Sequence, residues 1–295
     1  MVQIQRWEQC LRIRDPSSSG GMKMEELFPG IFVATSESGA SNLGFVMGRE
    51  GVIVIDTSLF VSKAMELKDY ISSLTKKPIL FVFNTHYHPD HTFGNSAFDS
   101  PILAHELTKA KMERMDDEYV KNIKEKIGPD VAEEFEDLSI RIPTETFKRE
   151  KIIDLGNRKV KLLHVGGHTE DSSVAIVEPE MVVFFGDVLV NGYHPEIVAD
   201  SDLKTWINIL KKFLGYDISY AVPGHGKVSE KDSVEDMLNY LKTLRDFIAN
   251  YKKQGIQRFI DRISEDENFI GRKFPELLLD DIRILLQMER KSRRL

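Results

Sequence analysis

The chain of 295 residues is 41% hydrophobic and 29% charged, which supplies a sizeable core and argues against disorder. A formal net charge of −7 opposes strong attraction to phosphate backbones or anionic membranes, so neither nucleic acid nor membrane is the expected partner. Cys10 is the only cysteine, so no intrachain disulfide can form; with no signal-like apolar run and no stretch near ~20 apolar residues, a reduced cytoplasm is the expected location.

Residues 1–21, ending in Ser17-Ser18-Ser19-Gly20-Gly21, read as a disordered extension joined flexibly to the folded unit. From Gly30 the pattern becomes strand-like: short β-branched and aromatic runs at 31–35, 42–48 and 51–57, separated by Gly and Ser. Val61, Ala64, Met65, Ile71 and Leu74 follow at near-helical spacing, and ILFVF at 79–83 resumes as a buried strand. This strand, helix, strand unit delivers the chain into Asn84-Thr85-His86-Tyr87-His88-Pro89-Asp90-His91, placing that motif on the loop after a strand's carboxyl end. Residues 105–140 are highly charged and predict two helices with a break at Gly128-Pro129, acting as a helical insert or a lid over the site.

The second half repeats the first in kind. Strand-like runs lie at 151–155, 159–165, 172–178 and 181–187, a helix near 202–214 and a strand at 219–223. The folded unit is therefore expected over 22–230. Residues 231–295 read as helical throughout, a C-terminal segment packed on that domain. Its apolar stripe of Met237, Tyr240, Leu241, Leu244 and Ile248 is assigned to core or homodimer packing.

The chemistry concentrates in histidine and aspartate. His86, His88, Asp90 and His91 put four metal donors within six residues, and two imidazoles one residue apart converge on one ion when the backbone is not helical. His168 ends the turn Val165-Gly166-Gly167, Asp187 ends the apolar run MVVFFGD, and His225 sits in Val222-Pro223-Gly224-His225-Gly226. Each follows a strand-like run, so the donors can share one rim of a sheet. Imidazole and carboxylate suit zinc first, and iron and manganese accept the same donors. A lone loop histidine is usually solvated, and the seven-residue set is what outweighs that reading. His105 and His164 read as structural or surface residues, while Phe93, Tyr193, His194 and Lys227 are pocket candidates by adjacency to the ligands.

THYHPDH, GGHT, FFGDVL and PGHG resemble, in order, the metal-binding motifs of the metallo-β-lactamase superfamily, and VIVIDT ending at Asp56 resembles its first motif. The resemblance spans roughly residues 25 to 228 and implies an α/β fold, an αββα sandwich of two similar halves with the C-terminal helices added. It implies that His86, His88 and His168 hold one divalent ion and Asp90, His91 and His225 another, that Asp187 bridges them, and that Asp56 orders the ligand loop. It further implies hydrolysis by a hydroxide shared between two ions, with Asp90 orienting the water or moving a proton. β-Lactamases of the superfamily commonly carry Cys or a non-ligand where Asp187 stands. A bridging aspartate resembles the glyoxalase II-like branch instead, and the sequence around the motifs looks similar to the sulfur-oxidation and quinoprotein-relay-like branch. A small-molecule ester, lactone or thioester is therefore the expected substrate. The alternatives are a mononuclear-iron persulfide dioxygenase, a β-lactamase, and a phosphodiesterase or nuclease.

Overall fold

The computed structural model describes residues 22–36, 40–127, 138–254, 262–263 and 265–292. The expected extension at 1–21 and the Gly128-Pro129 break lie outside these residues. Two sheets face each other. The first has seven strands in sequential order: β1 (Met24–Phe28), β2 (Ile31–Ala34), β3 (Leu43–Met47), β4 (Val52–Ile55), β5 (Ile79–Phe83), β6 (Ile102–His105) and β7 (Glu145–Phe147). The second runs β12 (Tyr220–Val222), β11 (Val182–Phe184), β10 (Ser173–Glu178), β9 (Lys159–His164), β8 (Glu150–Asp154).

Side chains alternate across each strand, which divides the core into layers. Ile31, Val33, Ile53 and Ile55 from the first sheet meet Val160, Leu162, Ala175, Val177 and Phe184 from the second, filling the space between sheets. Their chain neighbours Phe32, Phe45, Val52 and Val54 point outward onto Ala64, Leu67 and Ile71 of α1 (Val61–Leu74). On the far side, Val174, Ile176 and Val183 pack against Trp206 and Leu210 of α5 (Leu203–Phe213) and Met237 and Leu241 of α6 (Asp232–Gln254). The result is a helix, sheet, sheet, helix sandwich, as the motif resemblance implied.

Parallel pairing places chemistry at one rim. β4 and β5 are parallel with α1 as crossover, and β11 and β12 are parallel with α5 as crossover. The loops leaving the carboxyl ends of these four strands carry Asp56, the His86–His91 motif, which runs into the short helix α2 (Pro89–Thr92), Asp187 and His225. The β9–β10 loop adds His168 at the same place.

Three local expectations need correction. Helix in the 105–140 segment breaks at 113–116, between α3 (Glu106–Met112) and α4 (Asp117–Ile127), because Asp116 starts the second helix with its carboxylate accepting from the Tyr119 N–H at 2.8 Å. Residues 138–143 are not helical. The C-terminal segment is not helical throughout: between α6 and α7 (Pro275–Ser292), residues 266–274 form turns, with Gly271 and Phe274 at positive φ, and Lys273 bridges to Tyr193.

Candidate metal centre

Asp56 leaves β4 with φ +57, turning its carboxylate back into the loop after β5. It is 3% exposed and accepts three hydrogen bonds of 2.8 Å, from the Thr85 N–H, the Thr85 hydroxyl and His91 Nδ1. A carboxylate only accepts, so in the neutral ring the His91 proton sits on Nδ1 and Nε2 presents its lone pair. The Thr85 hydroxyl, having donated to Asp56, accepts from His86 Nδ1 at 3.0 Å and leaves His86 Nε2 in the same state. His168 Nδ1 donates to the Glu196 carbonyl at 3.0 Å, with the same consequence. Three imidazoles are thereby fixed in a ligating tautomer by partners on three different loops.

The donor atoms gather in two buried groups: His86, His88, His168 and Asp187 in one, Asp90, His91 and His225 in the other, each within 4.8 Å. Two donors each ~2.0–2.1 Å from a tetrahedral ion lie roughly 3.3 Å apart. His88 Nδ1 and His168 Nε2 are 3.2 Å apart. Around the second group, Asp187 Oδ1 is 3.2 Å from His91 Nε2 and 3.3 Å from His225 Nε2, and Asp90 Oδ2 is 3.2 Å from His225 Nε2. Asp187 Oδ2 faces the first group, 3.7 Å from His168 Nε2. His86 Nε2 is buried without a hydrogen-bond partner among the described residues, as expected of an atom awaiting a ligand. The donor set therefore fits a divalent ion at each group, and Asp187 turns one oxygen toward each.

Burial holds His86 well below the ordinary imidazole value, with His91 and His88 adding to the effect, and burial with His168 does the same to His88. Burial also works against the charged form of His91, but Asp90, Asp56 and Asp187 together outweigh it and raise its pKa. Neutral His86 and His88 are ready to ligate, and a cation held at the second group would displace a proton from His91.

Two glycines make the approach possible. A Cβ on Gly224 would stand 2.0 Å from Asp187 Oδ1, and one on Gly167, at φ +101, would press the Trp206 backbone and side chain at 3.0–3.1 Å. Trp206 in turn lies edge-on to His168 with ring centroids 5.4 Å apart and donates Nε1–H to the Val188 carbonyl at 2.7 Å, tying α5 to the strand end that carries Asp187.

The pocket candidates sit differently. Phe93 is fully buried with Leu59, Met112, Met115 and Ile123. The Tyr193 ring lies tilted against Phe274, and the His194 ring meets the Tyr240 hydroxyl at 2.9 Å, so both face the C-terminal segment. Lys227 is exposed beside His225, its carbonyl accepting from Asn191. His105 and His164 stack in parallel, centroids 3.7 Å apart, with each Nε2 on a backbone carbonyl, a structural role. Sequence reasoning missed Thr85 and the Glu196 carbonyl: Thr85 was inside the quoted motif, whereas a backbone acceptor leaves no trace in residue type.

A two-sheet sandwich with paired His/Asp groups on one rim defines a class of metal-centred enzymes. The family model for the metallo-beta-lactamase superfamily matches residues 38–225, and the chain belongs to that superfamily of metal-dependent hydrolases. The chain is 25% identical over 261 residues to a linear primary-alkylsulfatase of Pseudomonas sp., an alignment covering 77% of this chain and 48% of that protein, so the chain spans about half the length of this relative. It is 24% identical to the acyl-coenzyme A thioesterase MBLAC2 of Homo sapiens over 64% of this chain and 74% of that one. A solved metallo-beta-lactamase from Pontibacter korlensis shares the fold with a TM-score of 0.60 at 22% identity, covering 75% of this chain and 99% of that chain. No helix among the described residues is long and apolar enough to cross a membrane.

Proposed function

We propose that the chain hydrolyses a carboxylic ester, thioester or lactone of a small molecule in the cytoplasm, using two divalent ions, zinc first. The observation that carries this reading is Asp187, one carboxylate oxygen facing His91 and His225 and the other facing His168. Two ions held by these residues would lower the pKa of a shared water and polarise the scissile carbonyl. The chain's own residues set the rest. Asp56 and Thr85 keep His91 and His86 in the ligating tautomer. Asp90 is 8% exposed where the other six ligands are 0–2%, so it alone combines ligation with an open side from which to orient a water or pass on a proton. The relatives named for an acyl thioester and an alkyl sulfate put ester-type bonds at the head of the substrate panel.

The test is metal stoichiometry together with turnover on a panel of esters, thioesters, lactones, primary alkyl sulfates, phosphodiesters and β-lactams. Two ions per chain with turnover of the carbonyl esters supports the reading; one tightly bound iron with oxygen-dependent turnover overturns it. Asp187→Ala is expected to lower occupancy from two ions toward one.

A further inference from the structure

Residues 194–198, between Asp187 and α5, form neither helix nor strand, yet Glu196 and Ile197 among them are buried. Buried N–H and carbonyl groups in such a stretch need partners from elsewhere in the chain. The C-terminal segment supplies two of them. The Lys273 carbonyl accepts from the His194 N–H at 3.1 Å, and Asp281 Oδ1, on α7, accepts from the Ile197 N–H at 2.7 Å. Asp281 is 1% exposed, and its helix neighbours Leu278 and Ile282 share one apolar cluster with Ile197 and Trp206, so packing holds the carboxylate against this peptide.

The peptide that Asp281 holds is the one that holds His168. The Ile197 N–H and the Glu196 carbonyl are the two ends of a single amide, and that carbonyl accepts from His168 Nδ1 at 3.0 Å. The carboxylate, the amide and the imidazole are thus joined in series, and the far end of the ring, Nε2, lies 3.2 Å from His88 Nδ1 and 3.7 Å from Asp187 Oδ2. The Ser201 hydroxyl also donates to the His168 backbone carbonyl, so both the ring and the backbone of this residue are fastened to the 196–201 stretch. An amide is delocalised, and a negative group at its N–H shifts electron density toward its carbonyl oxygen. That oxygen becomes a stronger acceptor, which keeps the His168 proton on Nδ1 and makes Nε2 a better donor to a metal.

We propose that Asp281 is a positioning residue of the metal centre, acting through the Glu196–Ile197 amide to fix the His168 tautomer and raise the affinity of that ligand group for its ion. The inference rests on the two-ion reading above, in which His168 is a ligand. Asp281 lies 56 positions beyond His225 and outside the stretch 38–225 that matches the superfamily model, so this hold on the ligand comes from the C-terminal helix.

Asp281→Asn keeps the size and one accepting oxygen and removes the charge, whereas Leu278→Ala loosens the same helix and leaves the carboxylate in place. Zinc affinity is measured by competition with a chromophoric chelator. The His168 Nδ1–H resonance is followed by NMR on protein labelled with nitrogen-15 at histidine, zinc-loaded and zinc-free. In Asp281→Asn, affinity for the ion at the His86, His88 and His168 group is expected to fall about 10-fold, with the other ion within about 2-fold. The His168 Nδ1–H resonance is expected to move upfield and to exchange faster with water, in both states. Leu278→Ala should leave both readouts at their wild-type values. Wild-type zinc affinity with an unmoved His168 resonance in Asp281→Asn overturns the proposal, and so does an equal loss of zinc affinity in Leu278→Ala, which assigns the effect to packing. Should Asp281→Asn not fold, the wild type decides: zinc loading should shift the Ile197 amide proton downfield, and an unmoved resonance overturns the coupling. If the wild type binds no zinc, the two-ion reading falls by itself, and the His168 resonance of the zinc-free proteins still decides on Asp281.

Discussion

Asp56 touches no metal in the proposed arrangement, yet its replacement by asparagine should disable half the centre. The φ of +57 suits asparagine as well as aspartate, so the backbone is not strained and the change is electrostatic. The carboxylate accepts three bonds of 2.8 Å. An amide offers one accepting oxygen. If that oxygen replaces Oδ1 and keeps the Thr85 N–H, the amide NH₂ meets His91 Nδ1, donor against donor. The His91 proton then moves to Nε2, the atom that faces Asp187 at 3.2 Å and Asp90 at 3.6 Å. If the amide turns over, the buried Thr85 N–H loses its acceptor, at a cost of ~1–3 kcal/mol. Ion binding at the Asp90, His91 and His225 group should weaken about 10- to 100-fold, ~1.4–2.7 kcal/mol, while the His86, His88 and His168 group changes less. Calorimetric metal titration with metal analysis after dialysis resolves the two steps: Asp56→Asn should retain one ion where the wild type retains two. Wild-type affinity for both ions would refute the claim that Asp56 sets the His91 tautomer.

Gly224→Ala should be severe for a side chain of one carbon, because the added Cβ would stand 2.0 Å from Asp187 Oδ1 and 2.7 Å from the Gly186 carbonyl carbon. Displacing that carboxylate by about 1 Å should reduce kcat on the order of 100-fold with loss of one ion; wild-type turnover would contradict the bridging geometry. His194 gives a pH signature. Burial, with Arg272 nearby, lowers it to about 4, so it is neutral when folded, whereas the unfolded chain takes up the proton near 6.5. Its contribution is complete above pH 6.5 and is lost as pH falls toward 4, by up to about 3 kcal/mol. Urea midpoints across that window should fall less steeply in His194→Gln than in the wild type, and parallel slopes would count against it. Arg272→Met should lower stability by ~1–3 kcal/mol in urea unfolding, since Arg272 joins Asp236 and the Asn268 and Tyr193 carbonyls while covering the Tyr240 ring at 4.8 Å. An unchanged midpoint would mean that the 266–274 turns do not brace the Tyr193 loop.

What could be read from the sequence follows from where each piece of information resides. The gathering of the seven His and Asp residues was legible because metal chemistry restricts residue type and strand ends restrict position: His86, His88, Asp90 and His91 lie within six residues, and Asp187 and His225 each follow an apolar run. The central strands were legible for the same reason, being β-branched and buried. β1 and β7 are edge strands with glutamates, MEELF and ETF, and carry no such pattern. β6 is four residues long and runs directly into α3, so His105 ends the strand and caps the helix where the sequence suggested only a helix start.

The segments that pack around the rim left no such signal. Tyr119 lies 28 positions after His91 on a helix whose composition resembles a solvated face. Its ring packs on the cluster of Leu59, Phe93 and Met112, after a helix that Thr108 and Lys111 fasten to Asp171, Glu170 and Asp200. The loop holding Tyr193 and His194 is likewise bonded from outside, through Lys273 and Tyr240. Seven His and Asp residues meet on one rim, and α3, α4 and the 266–274 turns pack on the loops around it. Under the proposed hydrolysis, discrimination among esters, thioesters and lactones should therefore respond to substitutions in α3, α4 and the 266–274 turns, while metal content responds to the rim.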